Sequence, residues 1–265
     1  MNTIESRQNP LVREFRKLAA SADATGARLL LDGAHQVREA RLCGAALEAV
    51  AIGSARLDAD TEEGELAREL DAAGVPVFSV TQSVLDAISP VRTPSGIVAI
   101  ATRTPVTAAS ICTHENGLVL AAADIQDPGN LGSLIRAAEA GGATGVLVCG
   151  TSANPFSWKA LRGSMGSTLR LPVATGVGVT SALRCASASG ARTIASVPRG
   201  GRDPDAIDWT GHVVLLLGGE GPGLDESIGS QCDDRVTIPM AASVESLNVA
   251  VAGAILVYAA RRQRV

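Results

Sequence analysis

The sequence predicts an α/β protein in two parts, and three observations carry that reading. Short apolar runs alternate with helix-length segments along the chain, the pattern of layered α/β folds. The run Leu118–Ala123 is apolar at every position, as in a parallel strand buried on both faces. The stretch "TRTPVTAASICTHENG", at 102–117, is rich in Thr, Ser and Pro, lacks periodicity and ends in Asn-Gly, so it is read as the connection. The expected organisation is a smaller module over 1–105, a linker over 106–116 and a second domain over 117–265.

Composition narrows the classes. A chain of 265 residues suits two compact domains, and 46% hydrophobic content supplies their cores. Only 2% is aromatic, so those cores are aliphatic and Ala-rich. A net charge near −4 argues against a uniformly positive coat and leaves room for local cationic patches. Arginine almost wholly replaces lysine, with only Lys17 and Lys159 present. Cys43, Cys112, Cys149, Cys185 and Cys232 are odd in number and widely spaced, with no CxxC, and His35, His114 and His212 form no ligand cluster. Neither a disulfide framework nor a metal site is expected, and a reducing cytoplasm fits best. The first residues lack the apolar centre of a signal peptide, and the last apolar segment is too short and too soon interrupted by charge to span a bilayer.

In the first module, Asn9 caps a helix whose first position is Pro10, and Leu11, Phe15 and Leu18 give it one apolar stripe. Arg13, Arg16 and Lys17, with Arg7 just before, lie largely off that stripe. They are read equally as a solvated face or as contacts to a phosphate backbone. "RLLLDG" is a strand, 34–40 a helix, and 47–52 a further apolar run. "TEEGELARELDAAG" is a helix closed by Gly74, "VPVFSV" a strand, 81–88 a helix, and "SGIVAIA" the closing strand.

The second domain opens "LVLAAADIQDPGNLGSLIRAAEAGGATGVLVCG", a strand, loop, helix, turn and strand. Asp127-Pro128-Gly129 turns sharply and Asn130 is expected to cap the helix, which buries Leu131, Leu134, Ile135 and Ala138. Arg136 lies about 140° round from Leu131 and points away from that face. It is either a surface arginine near Glu139 or Glu115, or a ligand contact outside a strand tip. "SANPFSWKALRGSMGSTLRLPV" is a helix running into a glycine-rich bend, "TSALRCASAS" a helix and "ARTIASV" a strand. The polar "PRGGRDPDAIDWTG" places Arg199 and Arg202 at its head. In "HVVLLLGGEGPGL" a buried strand ends at Leu217, and Gly218, Gly219, Gly221 and Gly223 surround Glu220 and Pro222. Such glycines let the backbone approach a ligand closely. The run matches neither the dinucleotide fingerprint nor a phosphate-binding loop, because Leu224 breaks the first and no Lys-Ser/Thr follows.

The chain closes "RVTIPMAASVESLNVAVAGAILVYAARRQ", a short strand, a small-residue loop and a helix beginning near Ser246. From Leu247 to Tyr258 nearly every position is small or apolar before Arg261 and Arg262, so the helix is expected to be covered on more than one side.

Together "DPGNLGSLIRAAEAGGA", "LLLGGEGPGL" and "IPMAASVESLNVAVAGAILVYAARR" resemble the three motifs of the SpoU (TrmH-like) branch of the SPOUT RNA methyltransferases, in order. "SRQNPLVREFRKL", "LLLDGAHQVREA" and "SGIVAIA" resemble the ribosomal-protein-like substrate-binding module joined to many of them. The resemblance implies a SPOUT-type, Rossmann-like parallel sheet with a deep trefoil knot, preceded by a smaller L30e-like α/β domain. It implies methyl transfer from S-adenosylmethionine to a ribose 2′-hydroxyl of RNA, ribosomal RNA in preference to transfer RNA, by a homodimer built through the C-terminal domain. Carried over by position, Asn130, Arg136, Glu220, Ser246 and Asn248 are the catalytic group. Ala195, Ser196, Gly218, Gly221, Ile238, Met240 and Leu247 hold the cofactor, largely by backbone. Arg7, Arg13, Arg16, Lys17, Arg162 and Arg199 are the expected RNA contacts. One departure is Gly219, where the family often carries Asn before the glutamate. A non-catalytic RNA-binding protein and a dinucleotide oxidoreductase are the competing classes. The five polar positions argue against the first, and the broken glycine frame against the second.

Overall fold

The structure, a computed structural model, describes residues 1–57, 60–219 and 223–264. Two compact units divide the chain: Met1–Pro105 with Phe156–Arg162, and Val106–Pro155 with Gly163–Val265.

In the first unit the order is β1 (Asn2–Ile4), α1 (Pro10–Ala20), β2 (Arg28–Asp32), α2 (Ala34–Leu42), β3 (Ala46–Gly53), α3 (Ser54–Leu57), α4 (Glu62–Ala72), β4 (Val77–Val80), α5 (Gln82–Ile88) and β5 (Ile97–Thr102). The strands form one sheet in the order β1-β4-β3-β5-β2. The pairs β1/β4 and β3/β4 are parallel, while β5 runs antiparallel to β3 and β2. Alternation along the strands divides the core. Leu30, Ala49, Ala51, Val98 and Ile100 meet Val12, Phe15 and Leu18 of α1 and Val84, Leu85 and Ile88 of α5. Their neighbours Leu29, Leu31, Val50 and Ile52 are buried as well. Asn9 caps α1 by accepting from the Leu11 N–H at 2.9 Å, with Pro10 in the first turn. Thr61 caps α4, whose first turn carries Glu62, Glu63 and Glu65, charges that suit the positive end of a helix. Phe156, from the segment that joins this unit out of sequence, is buried with the Arg103 guanidinium 5.0 Å from its ring centre.

The second unit begins with α6 (Ala108–Ile111), so the stretch expected as a linker is not free chain. Thr107 and Ser110 cap α6 reciprocally, and Ile111 and Cys112 enter the core. Then follow β6 (Leu118–Ala123), α7 (Pro128–Ala140), β7 (Gly145–Cys149), α8 (Trp158–Ser164), which belongs to the first unit up to Arg162, α9 (Ser167–Arg170), β8 (Val173–Val177), α10 (Val179–Ala188), β9 (Arg192–Ser196), β10 (Val213–Gly218), α11 (Glu226–Gly229), β11 (Asp234–Val236) and α12 (Val249–Arg264). Among the described residues six strands form one sheet in the order β11-β9-β10-β6-β7-β8, and every neighbouring pair is parallel. All residues of β6 and β7 are buried, as are those of β10 up to Leu217, which explains their unbroken apolar composition.

The chain leaves β6 toward β7 and β8 on one side, and leaves β10 toward β11 on the other. The adjacent tips of β6 and β10 are therefore a topological switch point, the place where open α/β sheets bind ligands. The closing helix α12 packs along α7. Its far end is fixed by Gln263, which accepts from the Trp209 N–H at 3.0 Å and donates to the Ile207 carbonyl at 2.9 Å. Arg264 adds bonds to the carbonyls of Asn116 and Gly211 at 2.9 and 2.6 Å. The helix thus runs to Arg264, past the expected stop at Arg261 and Arg262.

Candidate active site

A cavity of about 290 Å³ opens at the carboxyl tips of β9 and β10. Ser196, Val197 and Pro198 follow β9, and Leu217, Gly218 and Gly219 end β10. Ile238 and Met240 lie beyond β11, while Ser246, Leu247 and Asn248 lead into α12; all of them line it. Five of the expected cofactor residues, Ser196, Gly218, Ile238, Met240 and Leu247, are on this wall, as are Ser246 and Asn248 of the expected catalytic group. Ala195 is fully buried in β9, one residue short of the lining. Glu220 and Gly221 lie outside the described residues.

The glycines at the end of β10 do something the sequence reading did not anticipate. A Cβ on Gly218 would fall 2.0 Å from the Leu224 nitrogen, and one on Gly219 would fall 2.0 Å from the Asp124 carbonyl oxygen. Both glycines admit neighbouring backbone rather than simply exposing backbone to a ligand. Gly219 also forms an isolated antiparallel β-bridge with Gly223. The end of β10 is therefore packed tightly against Gly223 and Leu224 and against the tip of β6.

The polar groups converge through Asn248. Its Oδ1 accepts from the N–H groups of Ala250 and Val251 at 2.9 and 3.3 Å, capping α12. With the acceptor fixed there, its Nδ2 is left to donate, and it does so to Asn130 Oδ1 at 2.9 Å. One side chain thus starts the closing helix and joins it to the first turn of α7, 118 residues earlier. Asn130 was expected to cap α7, but Asp127 does so, accepting from the Asn130 N–H at 2.8 Å. Relieved of the cap, the Asn130 side chain is available for the Asn248 contact.

Arg136 is exposed on α7, as its position relative to Leu131 predicts. Its expected surface partner, Glu139, is held instead by Arg170 through bonds of 2.7 and 2.9 Å. Those bonds keep the Glu139 carboxyl below its ordinary pKa against the opposing effect of burial. Arg136 does not line the cavity and makes no ion pair among the described residues.

The expected RNA contacts are surface residues. Arg13, Arg16 and Lys17 are exposed on α1, and Arg7 donates from Nε to the Ser83 carbonyl at 2.9 Å. Arg162, expected beside the second domain, belongs to the first compact unit. Arg199 is exposed immediately after Pro198 of the cavity wall. Among the described residues no group of three or more His, Cys, Asp or Glu can hold a metal ion, and no helix is long and apolar enough to cross a membrane.

Sequence reasoning missed Val197 and Pro198, which carry no chemical signature and line the cavity because they continue β9. It also missed Asp124, whose place directly after an unbroken apolar strand was the available signal.

Comparison with known proteins places this architecture. Residues 117–258 match the SpoU rRNA Methylase family. An uncharacterized tRNA/rRNA methyltransferase of Synechocystis sp. is 34% identical over 99% of this chain and 94% of its own length. The 23S rRNA (guanosine(2553)-2′-O)-methyltransferase of Bacillus subtilis is 30% identical over 97% of this chain and 98% of its own. Among solved structures, an AdoMet-bound rRNA methyltransferase from Sinorhizobium meliloti superposes with a TM-score of 0.86 at 28% identity, covering 100% of this chain and 98% of that one. The relatives match the first unit as well as the second, and the chain belongs to the SpoU rRNA methylase family.

Proposed function

We propose that the protein transfers a methyl group from S-adenosylmethionine to a ribose 2′-hydroxyl of ribosomal RNA. The observation that carries this reading is the cavity. It gathers Gly218, Met240, Leu247 and Asn248, from separate stretches of the chain, at the carboxyl edge of a parallel sheet. Its volume of about 290 Å³ is near the lower end of ordinary ligand pockets. Its lining is mostly apolar side chains and backbone, with Ser196, Ser246 and Asn248 as polar side chains. That set fits a cofactor recognised by flat apolar contact and a few directed hydrogen bonds. Ser196, Gly218, Ile238, Met240 and Leu247 would hold it, with Ala195 fixing β9 beneath them.

When bound, S-adenosylmethionine supplies a methyl group on a positively charged sulfur, already a good leaving group. The protein's task is then chiefly orientation. Ser246 and Asn248 lie at the cavity and orient the ribose. Asn130 fixes the direction of the Asn248 amide through their mutual bond. Arg136 holds the neighbouring RNA phosphate with its planar fork. Glu220 is assigned to the same polar network on sequence grounds. Arg7, Arg13, Arg16 and Lys17 of the first unit, with Arg162 and Arg199, supply the cations that a folded RNA backbone requires, and the first unit is assigned as the L30e-like substrate-binding domain.

The active form is a homodimer joined through α12. Val251, Ile255 and Tyr258 recur there at spacings of four and three and are 49%, 41% and 49% exposed, one apolar stripe of the kind a second copy covers. The implied trefoil knot is supported by the loop 197–202. Its Val197 and Arg202 N–H groups bond the Val236 and Arg235 carbonyls, while Thr237 N–H returns to the Arg202 carbonyl. The chain beyond Thr237 then lines the same cavity as the β10 glycines. The cytoplasm, where ribosomal RNA is found, is the proposed location.

The test is transfer of labelled methyl groups to ribosomal and transfer RNA by the purified protein, with size determined by light scattering. Label resistant to alkaline cleavage, in ribosomal RNA and lost in Arg136→Ala, is expected from a dimer. Full transfer by Arg136→Ala would remove Arg136 from its assigned role, and binding of RNA without transfer would favour a non-catalytic protein.

A further inference from the structure

Asp124 follows the last residue of β6, and among the described residues only it and Met165 adopt a positive φ without being glycine, Asp124 at +57°. An L-residue enters that region at a cost, which Asp and Asn meet by bonding locally through their short side chains. Here Asp124 Oδ1 accepts from both the N–H and the Oγ1 of Thr151, each at 2.8 Å. The Asp124 N–H donates to the Cys149 carbonyl at 3.2 Å. The carboxylate also fills the space above Gly150, where a Cβ would fall 2.3 Å from Oδ1. The turn is thus fixed by its side chain, its own amide and its contact with the end of β7.

The opposite face of Asp124 meets the cavity loop. Ala123 pairs in register with Gly218 across the β6/β10 ladder. One residue on, the Asp124 carbonyl lies so close beneath Gly219 that a Cβ there would fall 2.0 Å from its oxygen and 2.6 Å from its carbon. Gly218 and Gly219 are cavity wall. Any rotation of the Asp124 peptide must move Gly219, which has no side chain to absorb the change.

We propose that Asp124 is a positioning residue for the cofactor cavity. Its bonds to Thr151 hold the left-handed turn that keeps its carbonyl under Gly219, and so set the place of the Gly218–Gly219 wall. This rests on reading the cavity as the S-adenosylmethionine site. Neither the carboxylate's charge nor its acidity is needed, only an acceptor on a short side chain that tolerates positive φ.

The experiment is calorimetric titration of the full-length protein with S-adenosylmethionine, alongside thermal unfolding, for wild type, Asp124→Ala, Asp124→Asn and Thr151→Val. Asp124→Ala is expected to weaken binding by about tenfold or more, the scale of losing the two hydrogen bonds from Thr151. Asp124→Asn, which keeps an acceptor Oδ1 and the left-handed tolerance, should return to within about threefold of wild type. Thr151→Val removes one of the two donors without touching the cavity, and should fall between them while remaining folded. Wild-type affinity in Asp124→Ala, an Asp124→Asn as weak as Asp124→Ala, or an unaffected Thr151→Val would each overturn the proposal. If Asp124→Ala does not fold, an Asp124→Asn more than about threefold weaker than wild type, or an unaffected Thr151→Val, still overturns it. Failure of the wild type to bind is a separate result that overturns the reading of the cavity itself.

Discussion

Gly141→Ala probes how the closing helix is held against α7. Each helix offers a glycine to a side chain of the other. A Cβ on Gly253 of α12 would fall 2.2 Å from Leu134 Cδ1, and one on Gly141, the C-cap of α7, would fall 2.0 Å from Val257 Cγ1. Gly141 has φ −86°, so the backbone accepts alanine. Reduced freedom of the unfolded chain would favour the variant by about 0.4–1 kcal/mol. The opposing effect is larger. Val257 is completely buried, and a β-branched side chain on a helix has essentially one χ1 rotamer, so its methyl cannot swing aside. Overpacking of this sort costs about 1–3 kcal/mol, leaving a net loss of up to about 2.6 kcal/mol once the backbone gain is subtracted.

The two tryptophans make this measurable. Trp209 is buried in the second unit and Trp158 belongs to the first. In a Trp158→Phe background, urea unfolding followed by Trp209 fluorescence reports on the second unit, and the midpoint should fall without a change in slope. Combining Gly141→Ala with Val257→Ala should recover part of the loss, because the two sites are in contact. A Gly141→Ala protein more stable than its parent, or strict additivity with Val257→Ala, would refute the account of the helix contact.

Two further outcomes follow from the same unit. Asn248→Ala should lower stability by about 1 kcal/mol through loss of the α12 cap, while Asn248→Asp, which keeps the cap acceptor but not the donor to Asn130, should recover most of it in the same urea assay. The Glu139 carboxyl is held below its ordinary value of 4.5 chiefly by hydrogen bonds from Arg170. Its contribution is therefore present above that value and lost as pH falls through the lower folded-state pKa. Glu139→Gln should flatten that acid limb of the stability–pH curve, and an unchanged limb would show that the Arg170 contact does not contribute.

Most of the sheet architecture was legible because buried strands cannot disguise their composition. The runs at β6 and β10 are apolar throughout, as parallel strands covered on both faces must be. The helix starts were legible only where local chemistry decided them. Asn9-Pro10 was read correctly, and the same rule, Pro in the first turn after its cap, identifies Asp127 rather than Asn130 as the cap of α7. At α12 no local rule sufficed. Ser246 and Asn248 are both capping residues, and the helix begins at Val249 because Asn248 accepts the first-turn N–H groups while also reaching Asn130. The four-residue α6 has too few positions to show periodicity, so its anchoring by Ile111 and Cys112 was hidden inside an apparent linker.

The candidate site was legible as a set of residues but not as a mechanism of assembly. Three polar stretches scattered over more than a hundred residues meet because every strand of the second sheet runs in one direction, which puts all the carboxyl tips on one edge. What the stretches do for one another there depends on backbone contacts with no local signature. Gly219 stands where the family often carries Asn, and the structure supplies a reason why that position is crowded in this chain. The Asp124 carbonyl already occupies the space a side chain would need. An asparagine at 219 would therefore require the turn at 124 to move. The identity of residue 219 and the left-handed turn at Asp124 are two halves of one packing solution, and neither can be interpreted from sequence without the other.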